Sequence, residues 1–307
     1  MHRVWIVTPS FRSLQWLPCA VASVADQVGE GIEVHHHIQD GGSDDGTREW
    51  LENHAAECAR SPQPGYSFSY ESARDSGMYA ALNIGWEKVP AGFTLIGHLN
   101  SDEQYLPGAL LKIVKVMERN PAWDVVLADM IVVDGNGDYV CHRRCLKPMK
   151  IVWRHTTGGM TAATFQRVSV VRERGILFNS DWRIIADLLW YNKLMHAGCV
   201  IGYCNQMVSV FSETGSNLGW SQAVLEEIKR YADMFLGGKI CLINFFRKIN
   251  GLRRLTKEWF HRAPRSYAIY TMQNQRQRRT YAVDKPTSSW AKTCDGTRPP
   301  NSSGSFG

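Results

Sequence analysis

Through its first hundred residues the chain alternates short apolar runs with stretches of helical periodicity, and three of the runs end in an acidic motif. Arg3–Val7, Ile32–Gln39, Tyr66–Tyr70 and Phe93–Leu99 read as strands. After the first of them, Leu14, Leu17, Val21, Val24 and Val28 recur at spacings of three and four, which marks one helix face. Thr47–Arg60, with Ser43, Asp44 and Asp45 available to cap it, and Met78–Lys88 continue the alternation. A further helix opens near Pro107 and runs to Arg119. Strands separated by helices require right-handed crossovers, so a mostly parallel central sheet flanked by helices is expected. Ligands of such sheets bind at the carboxyl ends of the strands, where the acidic motifs fall.

The pattern then changes. Asp124–Val133 reads as a strand, the Asp134-Gly135-Asn136-Gly137-Asp138 cluster as a turn, and Tyr139–Arg144 as a strand pairing back. Met160–Phe165 is expected to be a short strand, Asp181–Ala197 an amphipathic helix, Cys199–Val210 a strand and Ser212–Gly219 a loop. Ser221–Phe235 and Ile240–Phe260 have helical patterns. Beyond Lys285 the chain is rich in Ser, Gly, Pro and Thr, a composition that cannot bury a core. The expected organisation is a first domain over 1–220, a basic, amphipathic helical extension over 221–284 and a disordered tail over 285–307.

Its 307 residues, 44% of them hydrophobic, suffice for a sizeable core. No run approaches the roughly 18 apolar residues of a membrane span. The start, Met1-His2-Arg3-Val4-Trp5, turns polar too quickly for a secretory signal, so a cytoplasmic location is expected. Eight scattered cysteines fit a reducing compartment. Cys141 and Cys145 lack a second close pair for zinc, and His35, His36 and His37 alternate faces in a strand, so neither group predicts a metal site. Charge is segregated. Residues 238–307 hold 14 Lys/Arg and 3 Asp/Glu, a net of +11, which leaves −5 of the overall +6 for residues 1–237. The C-terminal part therefore calls for an anionic partner.

The motifs carry a family resemblance. Thr8-Pro9-Ser10-Phe11 follows the first strand and Asp40-Gly41-Gly42-Ser43-Asp44-Asp45-Gly46-Thr47 the second. Asp75-Ser76-Gly77-Met78-Tyr79-Ala80-Ala81-Leu82-Asn83-Ile84-Gly85 follows the third. Leu99-Asn100-Ser101-Asp102-Glu103, with Tyr105-Leu106-Pro107-Gly108-Ala109-Leu110, follows the fourth. In this order, over residues 3–215, the chain resembles family 2 glycosyltransferases of the GT-A fold. The resemblance implies a GT-A catalytic domain over 1–220. It also implies inverting transfer of a sugar from a nucleotide diphosphate donor, with UDP as the family-level expectation. The acceptor would be a hydroxyl of a glycan or lipid-linked molecule in surface polysaccharide synthesis.

Position by position, the resemblance gives Thr8 and Pro9 the nucleoside pocket through their backbone groups, Asp40 a hydrogen bond from the base, and Asp75 a place near base or ribose. Asn100-Ser101-Asp102 stands where the family has Asp-x-Asp, which leaves Asp102 as the main protein ligand of Mg²⁺ or Mn²⁺. A hard dication with few protein ligands completes its shell with diphosphate oxygens and offsets charge on the leaving group. The acceptor hydroxyl needs a base, a role that contributes about 10²–10⁴-fold. Within Asp181-Trp182-Arg183-Ile184-Ile185-Ala186-Asp187-Leu188, Asp187 aligns with the family's catalytic Asp, and Asp181 is the alternative, equally readable as a helix cap. Glu71 and Asp75 depart from the Glu-x-Asp of many relatives, and Arg74 suits phosphate or a nearby acid equally.

Two other functions fit the sequence less well. A nucleotidyltransferase would carry a glycine-rich, Arg-bearing loop after the first strand, which Thr8-Pro9-Ser10-Phe11 is not. A non-catalytic binding module has no need of Asp40, Asp102 and Asp187 together. In the basic part, Phe245, Phe246, Leu252, Leu255, Trp259 and Phe260 intermix with Arg247, Lys248, Arg253, Arg254 and Lys257, the composition of an interfacial helix. Residues 238–285 are therefore expected either to meet an anionic membrane at its inner face or to pack a helix on the catalytic domain with its basic face in solvent, with no nucleic acid as partner.

Overall fold

A computed structural model describes residues 1–215, 222–258 and 265–288. The first half runs β1 (His2–Ser10), α1 (Leu17–Ala25), β2 (Ile32–Asp40), α2 (Thr47–Arg60), β3 (Tyr66–Ser72), α3 (Met78–Glu87), β4 (Leu95–His98), β5 (Gln104–Tyr105) and α4 (Ala109–Arg119). There follow β6 (Val125–Asp134), β7 (Tyr139–Arg143), α5 (Lys150–Trp153), β8 (Thr164–Arg167), α6 (Val168–Arg172), α7 (Ala186–His196) and β9 (Ile201–Glu213). Beyond them lie α8 (Ala223–Phe235), α9 (Ile240–Glu258), β10 (Arg265–Thr271) and β11 (Asn274–Val283).

Nine strands form one sheet in the order β3-β2-β1-β4-β8-β6-β9-β5, with β7 paired to β6. β3, β2, β1 and β4 are parallel, as the helical crossovers require, and so are β6 and β9. β8 enters antiparallel to both β4 and β6, so the sheet is mixed about its centre. From Val4 to Ser10 β1 is buried, because helices cover both faces of the sheet. One cluster holds Trp5, Val7, Leu82 and Trp190, and the other holds Val4, Ile6, Leu110 and Val126. α3 lies so close to β1 that a Cβ on Gly85 would come within 2.5 Å of Val7 Cγ1. The Trp5 indole donates to the Gly85 carbonyl at 2.9 Å across that contact.

The three histidines divide between faces as their period requires. His35 stacks on Trp5 at 4.2 Å and shares Ser69 with His37, while His36 meets Thr8 Oγ1 at 2.9 Å on the other side. Burial pushes all three below the usual histidine pKa, so they are neutral core side chains.

Several expectations need correction. The short strand expected over Met160–Phe165 is β8, displaced to Thr164–Arg167, with a 3-10 turn at Thr161–Ala163 before it. β9 extends to Glu213, beyond the expected end at Val210, because it pairs with β6 as far as Asp134. The part of the expected loop at 216–219 lies outside the described residues, as do Trp259, Phe260 and residues 289–307 of the expected tail. The extension over 221–284 is helical only to Glu258, and residues 265–283 form an antiparallel hairpin. Tyr267, Ile269 and Val283 face inward there against Ile131, Val133 and Val210, so an alternating strand period lay beneath the basic composition. The hairpin is fastened firmly. Arg278 forks onto Asp26, just after α1, at 2.6 and 2.8 Å and donates to the Tyr105 carbonyl at 2.9 Å. The Gln104 amide exchanges two bonds with the Tyr270 backbone, at 2.9 and 2.8 Å.

Candidate active site

The parallel register sets Ser10, Asp40 and Ser72 side by side at the carboxyl edge of β1, β2 and β3. Asp40 organises the loop that follows. One oxygen accepts the Gly42 N–H at 3.1 Å, the Ser43 N–H at 2.9 Å and the Ser72 hydroxyl at 2.6 Å, and the other accepts the Ser43 hydroxyl at 2.6 Å. The side chain is wholly buried. Asp40→Ala orphans four donors, so it is expected to cost about 3 kcal/mol, measurable by urea unfolding. Ser43 also holds the first loop, since its hydroxyl takes the Arg12 N–H at 2.7 Å. Arg12 has φ 50°, a left-handed conformation rare for a residue with a side chain. Its guanidinium forks onto Asp44 at 2.6 and 2.7 Å, but with side chains 58% and 66% exposed the pair positions the loop more than it stabilises it.

A cavity of about 1660 Å³ opens over this edge. Pro9, Asp75, Asn100, Ser101 and Asp102 line it, together with Ser10 and Tyr79. Thr8 and Asp40 do not, being buried behind its wall and already hydrogen-bonded. Glu71 is also elsewhere, paired with Lys88. Asp75 Oδ1 accepts the Gly77 N–H at 2.8 Å, and burial with Asp40 nearby pushes its carboxyl up. A Cβ on Gly41 would lie 3.3 Å from Asp75 Oδ2, so the second motif leaves this acid little spare room.

The loop after β4 is the most acidic part of the cavity wall. Burial raises the Asp102 carboxyl, and the buried Glu103 beneath it rises further because it also faces the Asp102 charge. Glu103 accepts the Asn100 N–H at 2.9 Å. Two oxygens on the cavity wall, Asn100 Oδ1 and Ser10 Oγ, are buried without a hydrogen-bond partner. Such atoms are rare in folded proteins and suit a ligand.

The opposite wall is built by α8 and the segment before α7. α7 starts at Ala186, not at Asp181 as expected, and no side chain of its own caps it. The segment before it is held from another helix. The Glu227 carboxylate accepts the N–H groups of Arg183, Ile184 and Ile185 at 2.7, 3.0 and 3.0 Å. One turn further on, Arg230 donates to the Asp181 carbonyl at 3.2 Å and lies over the Trp182 ring at 4.3 Å. Asp181 is exposed outside the helix and caps nothing. Asp187 occupies the first turn of α7, where its Oδ1 accepts the Leu188 N–H at 2.7 Å and burial pushes its pKa up to about 6. It does not itself bound the cavity, whereas Tyr79 and Ile184 do, joined by a Tyr79 hydroxyl bond to the Ile184 carbonyl at 3.2 Å.

Glu227 and Arg230 are the site residues that the sequence reading missed. Nothing in Ser221–Phe235 beyond a helical period singled them out, since their partners lie more than forty residues away. Glu227→Ala leaves three backbone N–H groups without their acceptor and is expected to cost about 1–3 kcal/mol, measurable by urea unfolding.

The sequence model of Glycosyl transferase family 2 matches residues 5–174, more than half of the chain. This chain belongs to that family. The match spans the motifs that line the cavity, from Pro9 through Asp102, and ends before α7 and α8. No curated protein matches the sequence at a significant level. Among solved structures, S. aureus TarS 1–349 in complex with UDP aligns with TM-score 0.54 and 15% identity over 75% of this chain and 64% of that one. The same protein in complex with UDP-GlcNAc gives TM-score 0.56 and 14% identity over 84% of this chain and 75% of that one. At such identity the likeness shows the fold. The chain thus spans less than two thirds of the UDP-bound relative.

Proposed function

We propose that this family 2 member transfers a sugar from a UDP-linked donor, with inversion, to a hydroxyl of a glycan or lipid-linked acceptor in surface polysaccharide synthesis. The observation that carries the reading is the single cavity in which Pro9, Asp75, Asn100, Ser101 and Asp102 face the segment that α8 holds before α7. Support comes also from the TarS structures, which hold UDP and UDP-GlcNAc.

The oxygen donors fit a hard dication such as Mg²⁺ or Mn²⁺. Asn100 Oδ1 is buried and lacks a partner, Asp102 offers a carboxylate, and neither is a soft ligand. Among the described residues no three His, Cys, Asp or Glu side chains converge on one point, so diphosphate oxygens would complete the shell. Asn100 and Asp102 would hold the ion, which when bound offsets charge on the departing diphosphate. Pro9 and the loop at Gly41 would flank the nucleoside, with Asp75 as hydrogen-bond acceptor. Asp187, three residues behind the Ile184 wall of the cavity, would be the base for the acceptor proton, through Oδ2 because Oδ1 is bonded to Leu188. Its pKa of about 6 suits a base working near neutrality. Glu227 lines the cavity too, but its carboxylate is committed to three backbone N–H groups.

The seven described cysteines are free thiols, which supports the expected cytoplasmic location. No helix among the described residues is long and apolar enough to cross a membrane. The basic C-terminal part would bring the protein to the inner face, where a lipid-linked acceptor lies. Calorimetric titration of UDP and UDP-GlcNAc, with and without Mn²⁺, tests the reading. Metal-assisted binding of either is expected, and binding of neither overturns it.

A further inference from the structure

α9 has its apolar residues on two faces, and only one of them is used by the fold. Ile243, Phe246 and Asn250 point inward and are buried. Cys241, Phe245, Lys248, Leu252 and Leu255 follow one another at spacings of four, three, four and three, so they share the outer face. Phe245, Leu252 and Leu255 on that face are 56%, 64% and 63% exposed. α5, packed against α9, adds exposed Met149 and Ile151. Single exposed apolar residues are ordinary, but an aligned row of them marks an interaction surface.

Charge selects the occupant. Between Met234 and Lys257 there is no acid and six bases, of which Lys239, Arg247 and Lys248 are exposed. Lys150 and Arg154 are exposed on and just after α5. A second copy of the chain is a poor fit. In antiparallel pairing, Cys241 meets Leu255 and Phe245 meets Leu252, which sets Lys248 against its own copy, and parallel pairing does the same. A nucleic acid would satisfy the bases and leave the leucines in water. An anionic bilayer satisfies both, with leucine and phenylalanine in the acyl boundary and lysine stems reaching back to the headgroups.

We propose that the outer face of α9 docks on an anionic lipid surface. The docking is a property of this helix, independent of the sugar-transfer chemistry. Flotation of the full chain with phosphatidylcholine vesicles, with or without phosphatidylglycerol, tests it. The protein is expected to float with the phosphatidylglycerol vesicles at least tenfold more than with the neutral ones, and to lose that preference at high salt. Phe245→Ser/Leu252→Ser/Leu255→Ser and, separately, Arg247→Glu/Lys248→Glu are each expected to lower flotation at least tenfold. Circular dichroism and UDP titration of the same variants report the fold and the cavity, so failure here is distinct from failure of the transferase reading. Three results overturn the proposal: no flotation of the native chain on anionic vesicles, native flotation by the triple variant, or a solution dimer that the triple variant dissociates.

Discussion

Alanine at position 102 is expected to abolish the Mn²⁺ dependence of UDP binding and to weaken that binding about 10²-fold, the effect of losing a few kcal/mol of metal-mediated interaction. Asp102 lies on the cavity wall beside Asn100, whose amide oxygen is buried and unmatched within the protein. Removing the carboxylate leaves that oxygen and the donor's own phosphates as the ligands at hand, too few and too weakly charged to hold a hard dication. The thermal midpoint of Asp102→Ala, measured beside the titration, separates lost metal binding from a loosened fold. Titration with and without Mn²⁺ decides the matter. An unaltered metal response would remove residue 102 from the site.

Asparagine at position 187 is expected to leave UDP binding intact and to cut turnover about 10²–10⁴-fold, the range for a positioned base. Its pH profile gives a second signature. Burial disfavours the charged carboxylate and pushes its pKa up to about 6, and only the ionised form can accept the acceptor's proton. Below that value the native rate is expected to fall about tenfold per pH unit, and above it to level off. The residual rate of Asp187→Asn is expected to be flat across the same window. Full turnover by the variant would return the role of base to another group.

The parallel half of the fold was legible because each of its elements announces itself locally. Val4–Val7 and Ile32–Ile38 are apolar runs, Leu17–Val24 has a helical period, and Asp40-Gly41-Gly42-Ser43 is a loop whose acid binds its own backbone. The motifs also located the cavity, since Pro9, Asp75, Asn100, Ser101 and Asp102 all reach it. Local pattern does not say which side of a strand end faces the ligand, so Thr8 and Asp40 read as ligand groups although the structure buries both. Long-range partners were invisible. The N–H groups of residues 183–185 are satisfied by a carboxylate on α8, which holds them outside α7, so the helix starts later than its own sequence suggests. The hairpin was obscured by its arginines, whose charge suggested a surface helix while Tyr267 and Ile269 kept a strand period.

That hairpin carries a consequence for how the protein comes into being. Gln104 and Tyr105, which continue directly from Asp102 and Glu103, are gripped by Tyr270 and Arg278, residues made some 170 positions later. A nascent chain leaving the ribosome can assemble its first parallel strands early, yet the segment bearing the candidate metal ligands gains these supports only after Tyr270 and Arg278 have emerged. Shortened versions ending at the family boundary would keep the motifs from Pro9 through Asp102 and lack those supports, so a fragment that is complete by alignment would be unfinished as a machine.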